Sequence, residues 1–335
     1  MNRNAALTVA VIAVVAFTGL SALHLLPGVN PAPHQPDPIL IGAPGLEQNA
    51  LIYVAMDKGF FEKNGLNVSL RDTYPTGVGP VNDMAAGELD LSVSAEYPVI
   101  TRIFAGGNMS IIASIDKYQN EALISRKDSG IRNITDLKGK KIGLPRGTIL
   151  DFFLGRLLAR NGLGMGDVTL VDVNTTHAAD AIPGGEVDAI MYFQPHVSRI
   201  LERLGDNAVT WPGQSDQLLY AVIAARNDWI GTHPDQVRRF LRSLDEAQEY
   251  SVDHPDETKA IVKKRLNLTD AYLAEVWPAH RFGVSLDQSL VLAMNDEGRW
   301  TIANNMTAEK TLPDFRSAIS TEGLRAVDPA AVNLR

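Results

Sequence analysis

Apolar positions along the chain fall into short unbroken runs separated by stretches in which they recur at helical spacing. Ile39–Ala43 is such a run, closed by Pro44-Gly45, and reads as a buried parallel strand leading into a loop. Leu46, Ala50, Tyr53, Val54 and Asp57 then follow a helical period, and Gly59 with Phe60-Phe61 ends that element. Asn64-Gly65-Leu66 turns the chain into a second strand, Asn67–Leu70. In Leu89–Ser94 the apolar Leu89, Leu91 and Val93 alternate with polar residues, which predicts a third strand entered from a helix that closes at Gly87-Glu88. Farther on, the apolar run Leu218–Ala225 predicts a strand that re-enters the first sheet. After Pro234, Val237, Phe240, Leu241, Leu244 and Ala247 share one face of a helix suited to packing on a sheet. Further helices are expected to the C-terminus.

The same order of markers returns about a hundred residues later. Ile41-Gly42-Ala43-Pro44 is echoed by Ile142-Gly143-Leu144-Pro145, and Lys63-Asn64-Gly65-Leu66 by Arg160-Asn161-Gly162-Leu163. Asn67-Val68-Ser69-Leu70 is echoed by Asp167-Val168-Thr169-Leu170, and Gly87-Glu88-Leu89-Asp90 by Gly185-Glu186-Val187-Asp188. Each match alone is weak, but four in one order at nearly constant offset predict two similar doubly wound α/β lobes with extra C-terminal helices. The expected organisation is residues 39–122 and 222–335 in lobe one and 123–221 in lobe two.

In sheets of this kind small molecules sit beyond the carboxyl ends of the parallel strands. Equal steps beyond the two Gly-Glu-x-Asp markers lead to Glu96, followed by Tyr97, and to Gln194, followed after Pro195 by His196. The loops after the first strand of each lobe add Glu47 and Gln48 on one side and Arg146, Gly147 and Thr148 on the other. Thr148 suits the N-cap of a helix starting near Leu150, where a ligand oxygen or anion is favoured, and Arg146 suits an anion. Gln119 and Asn120 follow the apolar run Ile111–Ile115 and are candidates for the hinge side of the cleft, as Trp211 is for an aromatic wall. Each has an ordinary structural alternative: a solvated acid for Glu96, a packed ring for Tyr97 and Trp211, a surface histidine for His196, a solubilising arginine for Arg146.

Composition narrows the function classes. Charged residues are 21% and hydrophobic ones 45% of 335 residues, a globular balance with room for two cores. A formal net charge of −8 with no basic run excludes a nucleic-acid partner. Without cysteine there is no disulfide, thiolate metal site, thiol nucleophile or lipid-modified cysteine. Ala5–Leu26 carries no formally charged side chain and precedes a Pro-rich linker, Pro27–Pro38, which marks an export segment. Its length suits both a cleaved signal and an uncleaved membrane anchor. Either way the remainder is expected outside the cytoplasm, touching the membrane only through that segment. No phosphate-binding, dinucleotide, nucleophile-elbow or His-Glu-x-x-His motif occurs, and the seven histidines are dispersed, so no cofactor, metal or catalytic group is expected.

Asp57-Lys58-Gly59-Phe60-Phe61-Glu62-Lys63-Asn64-Gly65-Leu66-Asn67-Val68 resembles the nitrate, sulfonate, taurine and thiamin-pyrimidine-precursor group of ABC-transporter solute-binding proteins. Ala95-Glu96-Tyr97-Pro98 and Asp136–Gly143 leading to Gly147-Thr148 resemble the same group. The resemblance implies a type II periplasmic-binding-protein fold, a monomer whose lobes close on a small molecule and deliver it to an ABC importer permease. It places two hinge crossings near Ala122–Arg126 and Leu218–Val222. Phe193-Gln194-Pro195 stands where many relatives carry an aromatic-Glu-Pro sequence, so an amide replaces a carboxylate. The alternatives are a membrane-tethered sensor and an enzyme of the branch that builds the thiamin pyrimidine, which relies on a cysteine-rich segment absent here.

Overall fold

A computed structural model describes residues 35–214 and 217–334; the segment expected to direct export and most of the expected linker lie outside the described residues. The first half of the repeat forms strands β1 (Asp37–Pro44), β2 (Leu66–Tyr74) and β3 (Leu91–Ala95) with helices α1 (Ala50–Asp57) and α2 (Val78–Ala86) between them. Helix α3 (Glu96–Phe104) follows β3 directly, and β4 (Met109–Tyr118) leads to the second half. There β5 (Ala122–Arg126), β6 (Lys141–Leu144), β7 (Thr169–Asp172), β8 (Ala189–Tyr192) and β9 (Ala208–Pro212) carry helices α4 (Ile149–Arg160) and α5 (His196–Leu204). The chain returns through β10 (Leu219–Arg226), helix α6 (Pro234–Asp253), β11 (His280–Asp287), helix α7 (Gln288–Ala303) and β12 (Val332–Asn333).

Two mixed sheets result, in the orders β12-β11-β4-β10-β3-β1-β2 and β7-β6-β8-β5-β9. The repeat is visible in them. Parallel β2-β1-β3 continues into antiparallel β10, just as parallel β7-β6-β8 continues into antiparallel β5. Ile41 and Gly42 pair with β2 and β3 as Ile142 and Gly143 pair with β7 and β8. Both glycines are steric: a Cβ on Gly42 would stand 2.3 Å from Leu89 Cδ1, and one on Gly143 2.9 Å from Val173 Cγ2. The two first strands therefore tolerate no side chain on the same face.

Helix α6 buries Val237, Phe240, Leu241, Leu244 and Ala247 as its spacing predicts. One apolar cluster runs from the large sheet through α4 to residues of the small sheet, and a second, around Ile124, Val173 and Ile190, completes the small-sheet core. Where α4 meets α3 and α7, the Trp300 ring lies edge-on to Phe152 at 5.7 Å and 86°. Gly155 makes room for it, since a Cβ there would stand 2.5 Å from the indole.

The chain leaves the large sheet after β4 at Tyr118 and enters β5 at Ala122; it leaves β9 at Pro212 and is back in the large sheet from Leu219. Ala122–Arg126 is β5 itself and Leu218–Val222 overlaps the start of β10, and residues held in ladders on both sides cannot also act as the connection. Gln214 ties the two crossings together. Its side-chain oxygen accepts from Asn120 N at 2.7 Å and Glu121 N at 3.2 Å, while its nitrogen donates to Tyr118 O and Gln217 O, both at 3.0 Å.

Candidate functional site

A small cavity of about 50 Å³ opens at the carboxyl ends of the parallel strands, the place where sheets of this kind take small molecules. Pro44, Leu46, Glu47 and Gln48 close it after β1, Thr76 and Gly77 before α2, and Ala95 and Pro98 after β3. The second half contributes Thr148, Ile149 and Leu150 at the start of α4 and Phe193 and Gln194 after β8. The floor is made by the first crossing and by strands β4, β10 and β11: Tyr118, Asn120, Glu121, Leu219 and His280.

Several sequence candidates therefore meet. Glu47, Gln48, Thr148 and Gln194 line one cavity although they come from opposite halves of the chain. Thr148 caps α4, accepting from Leu150 N at 3.3 Å. Gln194 uses its amide oxygen to accept from Ser198 N at 3.1 Å and Ser198 Oγ at 2.9 Å, which aims the amide as a unit. Gln48 accepts from the Tyr118 hydroxyl.

The other candidates stand outside the wall, each for a visible reason. Glu96 is turned into the core: one carboxyl oxygen accepts from Tyr220 N of β10 at 3.1 Å, and the other faces Glu297 of α7. Both carboxyls are fully buried, and each keeps one oxygen without a partner when both are written as carboxylates. A proton between them resolves this, and burial pushes both acids up. The Tyr97 hydroxyl receives Thr301 Oγ1 at 3.2 Å and is buried. Arg146, the anion partner of the sequence reading, is already engaged by buried Asp151, which takes its Nε at 2.7 Å and Gly147 N at 2.6 Å. His196 packs edge-on against Tyr192 and Phe193, and burial lowers its pKa to about 4, so it is neutral. Gln119 is exposed beside the crossing, and Trp211 is held opposite Leu123 in the sheet.

Glu121 and His280 carry chemistry that the sequence reading missed. Glu121 Oε2 accepts from Asn120 N at 3.2 Å, and burial, with Glu96 nearby, holds its carboxyl at about 8. The His280 ring is sandwiched between Tyr118, 5.0 Å away at 27°, and Phe282, 5.2 Å away at 6°. Its Nδ1 meets the buried carboxyl of Asp116, which also accepts from Arg281 N at 2.9 Å. Its Nε2 is buried with no partner. Glu121 follows the Gln119-Asn120 signal directly; His280 arrives from the far end of the chain with no local signal at all.

Comparison with known proteins agrees with this geometry. Residues 47–258, more than half of the chain, match the family described as NMT1/THI5 like. The chain belongs to the NMT1/THI5-like family. Among its relatives is a putative aliphatic sulfonates-binding protein of Bacillus subtilis, 29% identical over 219 residues, 64% of this chain and 66% of that one. Another is the 4-amino-5-hydroxymethyl-2-methylpyrimidine phosphate synthase of Schizosaccharomyces pombe, 25% identical over 222 residues, 62% of this chain and 63% of that one. The alkanesulfonate-binding protein SsuA of Xanthomonas axonopodis pv. citri, solved with MOPS bound, superposes with a TM-score of 0.74 at 19% identity, covering 86% of this chain and 99% of that one. The family thus has both binding proteins and an enzyme among the relatives of this chain, and the fold is that of periplasmic binding proteins.

Proposed function

We propose that this chain is the extracytoplasmic solute-binding component of an ABC importer: it captures one small organic molecule in the cavity, releases it unchanged and catalyses nothing. The observation that carries the reading is that both halves of the repeat, with the first connection between the sheets, contribute to one cavity at the carboxyl ends of their strands. A ligand there touches both lobes, so its binding energy favours the closed arrangement. Glu47, Gln48, Thr148 and Gln194 supply the polar contacts, with closure bending the chain at residues 119–121. Glu96, placed by the repeat as a ligand contact, acts from behind the wall through Glu297 and Tyr220. Among the described residues no helix is long and apolar enough to cross a membrane.

Incubating the protein with a metabolite extract, washing by ultrafiltration, unfolding it and analysing the released compounds by mass spectrometry tests the reading. One compound should be enriched with its mass unchanged over time, and enrichment should vanish in Leu219→Trp, which fills the cavity. Saturation with that compound should lower the radius of gyration in solution scattering. Steady conversion of the compound, or enrichment that survives Leu219→Trp, would refute the reading.

A further inference from the structure

The charge of the cavity wall says which class of solute it fits. Among the described residues its lining contains two carboxyl side chains, Glu47 at 2% and Glu121 at 6% exposure, and no lysine or arginine. Arg146, two residues before Thr148, is paired with Asp151, and Lys117, next to Tyr118, with Asp287. His280 adds a buried ring nitrogen, Nε2, that lacks a partner and belongs to a side chain only 1% exposed. Three helices begin at the cavity and would favour an anion. One amide at or just before the start of each already has an acceptor, however. Thr148 takes Leu150 N and Asp151 takes Gly147 N at α4, Thr76 takes Val78 N at α2, and the Glu96 carboxyl accepts its own backbone N–H at α3. A sulfonate placed here would face the Glu47 carboxylate, and above about pH 8 the Glu121 carboxylate as well, with no lysine or arginine among the described lining residues to offset them. Leu46, Pro98, Phe193 and Leu219 offer apolar surface to the body of a ligand.

We propose that the cavity selects an organic cation, an amidinium or ammonium group on a small apolar body, whose N–H donors are taken by Glu47, Glu121 and His280. The proposal rests on the solute-binding reading above. It makes this chain differ in ligand class from a protein named for sulfonates, because the ligand's charge is set by a few wall residues and not by the fold.

Calorimetric titration of the full chain with benzamidine and benzylamine, against benzenesulfonate and benzoate as anions of matching size, tests it. A cation should bind at least tenfold more tightly than its anionic counterpart, and Glu121→Gln and Glu47→Gln should each weaken it about tenfold. Binding should also release a proton. The Glu121 carboxyl, faced by Glu96 and Tyr118, is held at about 8, so below that pH a cation has to displace its proton. Affinity should therefore rise from pH 6 toward 8 and level off above, with heats that depend on the buffer's ionisation enthalpy. Thermal melts confirm that the variants fold, and Glu47→Gln carries the test if Glu121→Gln does not. Tighter binding of the anions overturns the ligand class and leaves solute capture standing. Cation binding that neither substitution weakens overturns it, and so does the absence of binding by both series, in which case the extract experiment decides separately whether any solute is captured.

Discussion

The buried pair Glu96–Glu297 makes the fold sensitive to pH in a calculable direction. Replacing Glu297 by Gln leaves one acid where two share a proton and gives Glu96 a permanent amide donor. A carboxyl pushed from about 4.5 to about 7 by burial costs the native state on the order of 3 kcal/mol when it is forced to ionise, at about 1.4 kcal/mol per pH unit. Because the folded value lies above the unfolded one, this contribution is fully present below about pH 4.5 and is lost as pH rises through about 7. Both groups are fully buried, so solvent screening does not reduce the effect. Wild type should therefore lose more stability between pH 5 and pH 9 than Glu297→Gln does, because the variant lacks the Glu297 carboxyl that burial and Glu96 push up. Glu121, raised to about 8, titrates in both proteins and cancels in the comparison. Urea unfolding at several pH values, extrapolated to water, measures the difference. Glu96→Gln should flatten the profile similarly, and the double variant should add nothing further. Parallel profiles for wild type and Glu297→Gln would refute the shared proton.

Three further substitutions probe what positions the site. Gln214→Ala removes four hydrogen bonds that join the crossings and should cost about 2–4 kcal/mol by leaving buried backbone groups unpaired; a loss under about 1 kcal/mol in denaturant unfolding would show that water replaces the amide. Thr148→Ala removes the cap of α4 and should cost about 1 kcal/mol, read as a lower denaturation midpoint at unchanged slope. Gly42→Ala sets a methyl 2.3 Å from Leu89 Cδ1 and 3.0 Å from Pro80 Cβ and should destabilise by about 1–3 kcal/mol through overpacking; a melting temperature equal to wild type would mean that Leu89 swings aside freely.

Much of the scaffold was legible along the chain, because it depends on short-range patterns. The repeated Ile-Gly pair marks two strands that flank a close helix, the Gly-Glu-x-Asp markers precede β3 and β8, and Thr148 caps α4, since spacing and steric size act within a few residues. The same local logic brought Glu47, Gln48, Thr148 and Gln194 to one cavity. It could not decide side-chain direction after β3 and β8. Helix α3 starts at Glu96 itself, immediately beyond β3, and pairing with β10 draws the carboxyl to Tyr220 N; α5 starts two residues beyond Gln194, which leaves that amide facing the cavity. Equivalent positions in the repeat thus acquired different surroundings. Glu121 and His280 face each other's part of the wall only because β11 pairs with β4, bringing together residues distant in the chain, and Glu297 meets Glu96 only because α7 packs on α3. Strand and helix formation is written in local periodicity, whereas the charge and protonation of this cavity arise from contacts between distant segments, and these exist only once the sheets have assembled.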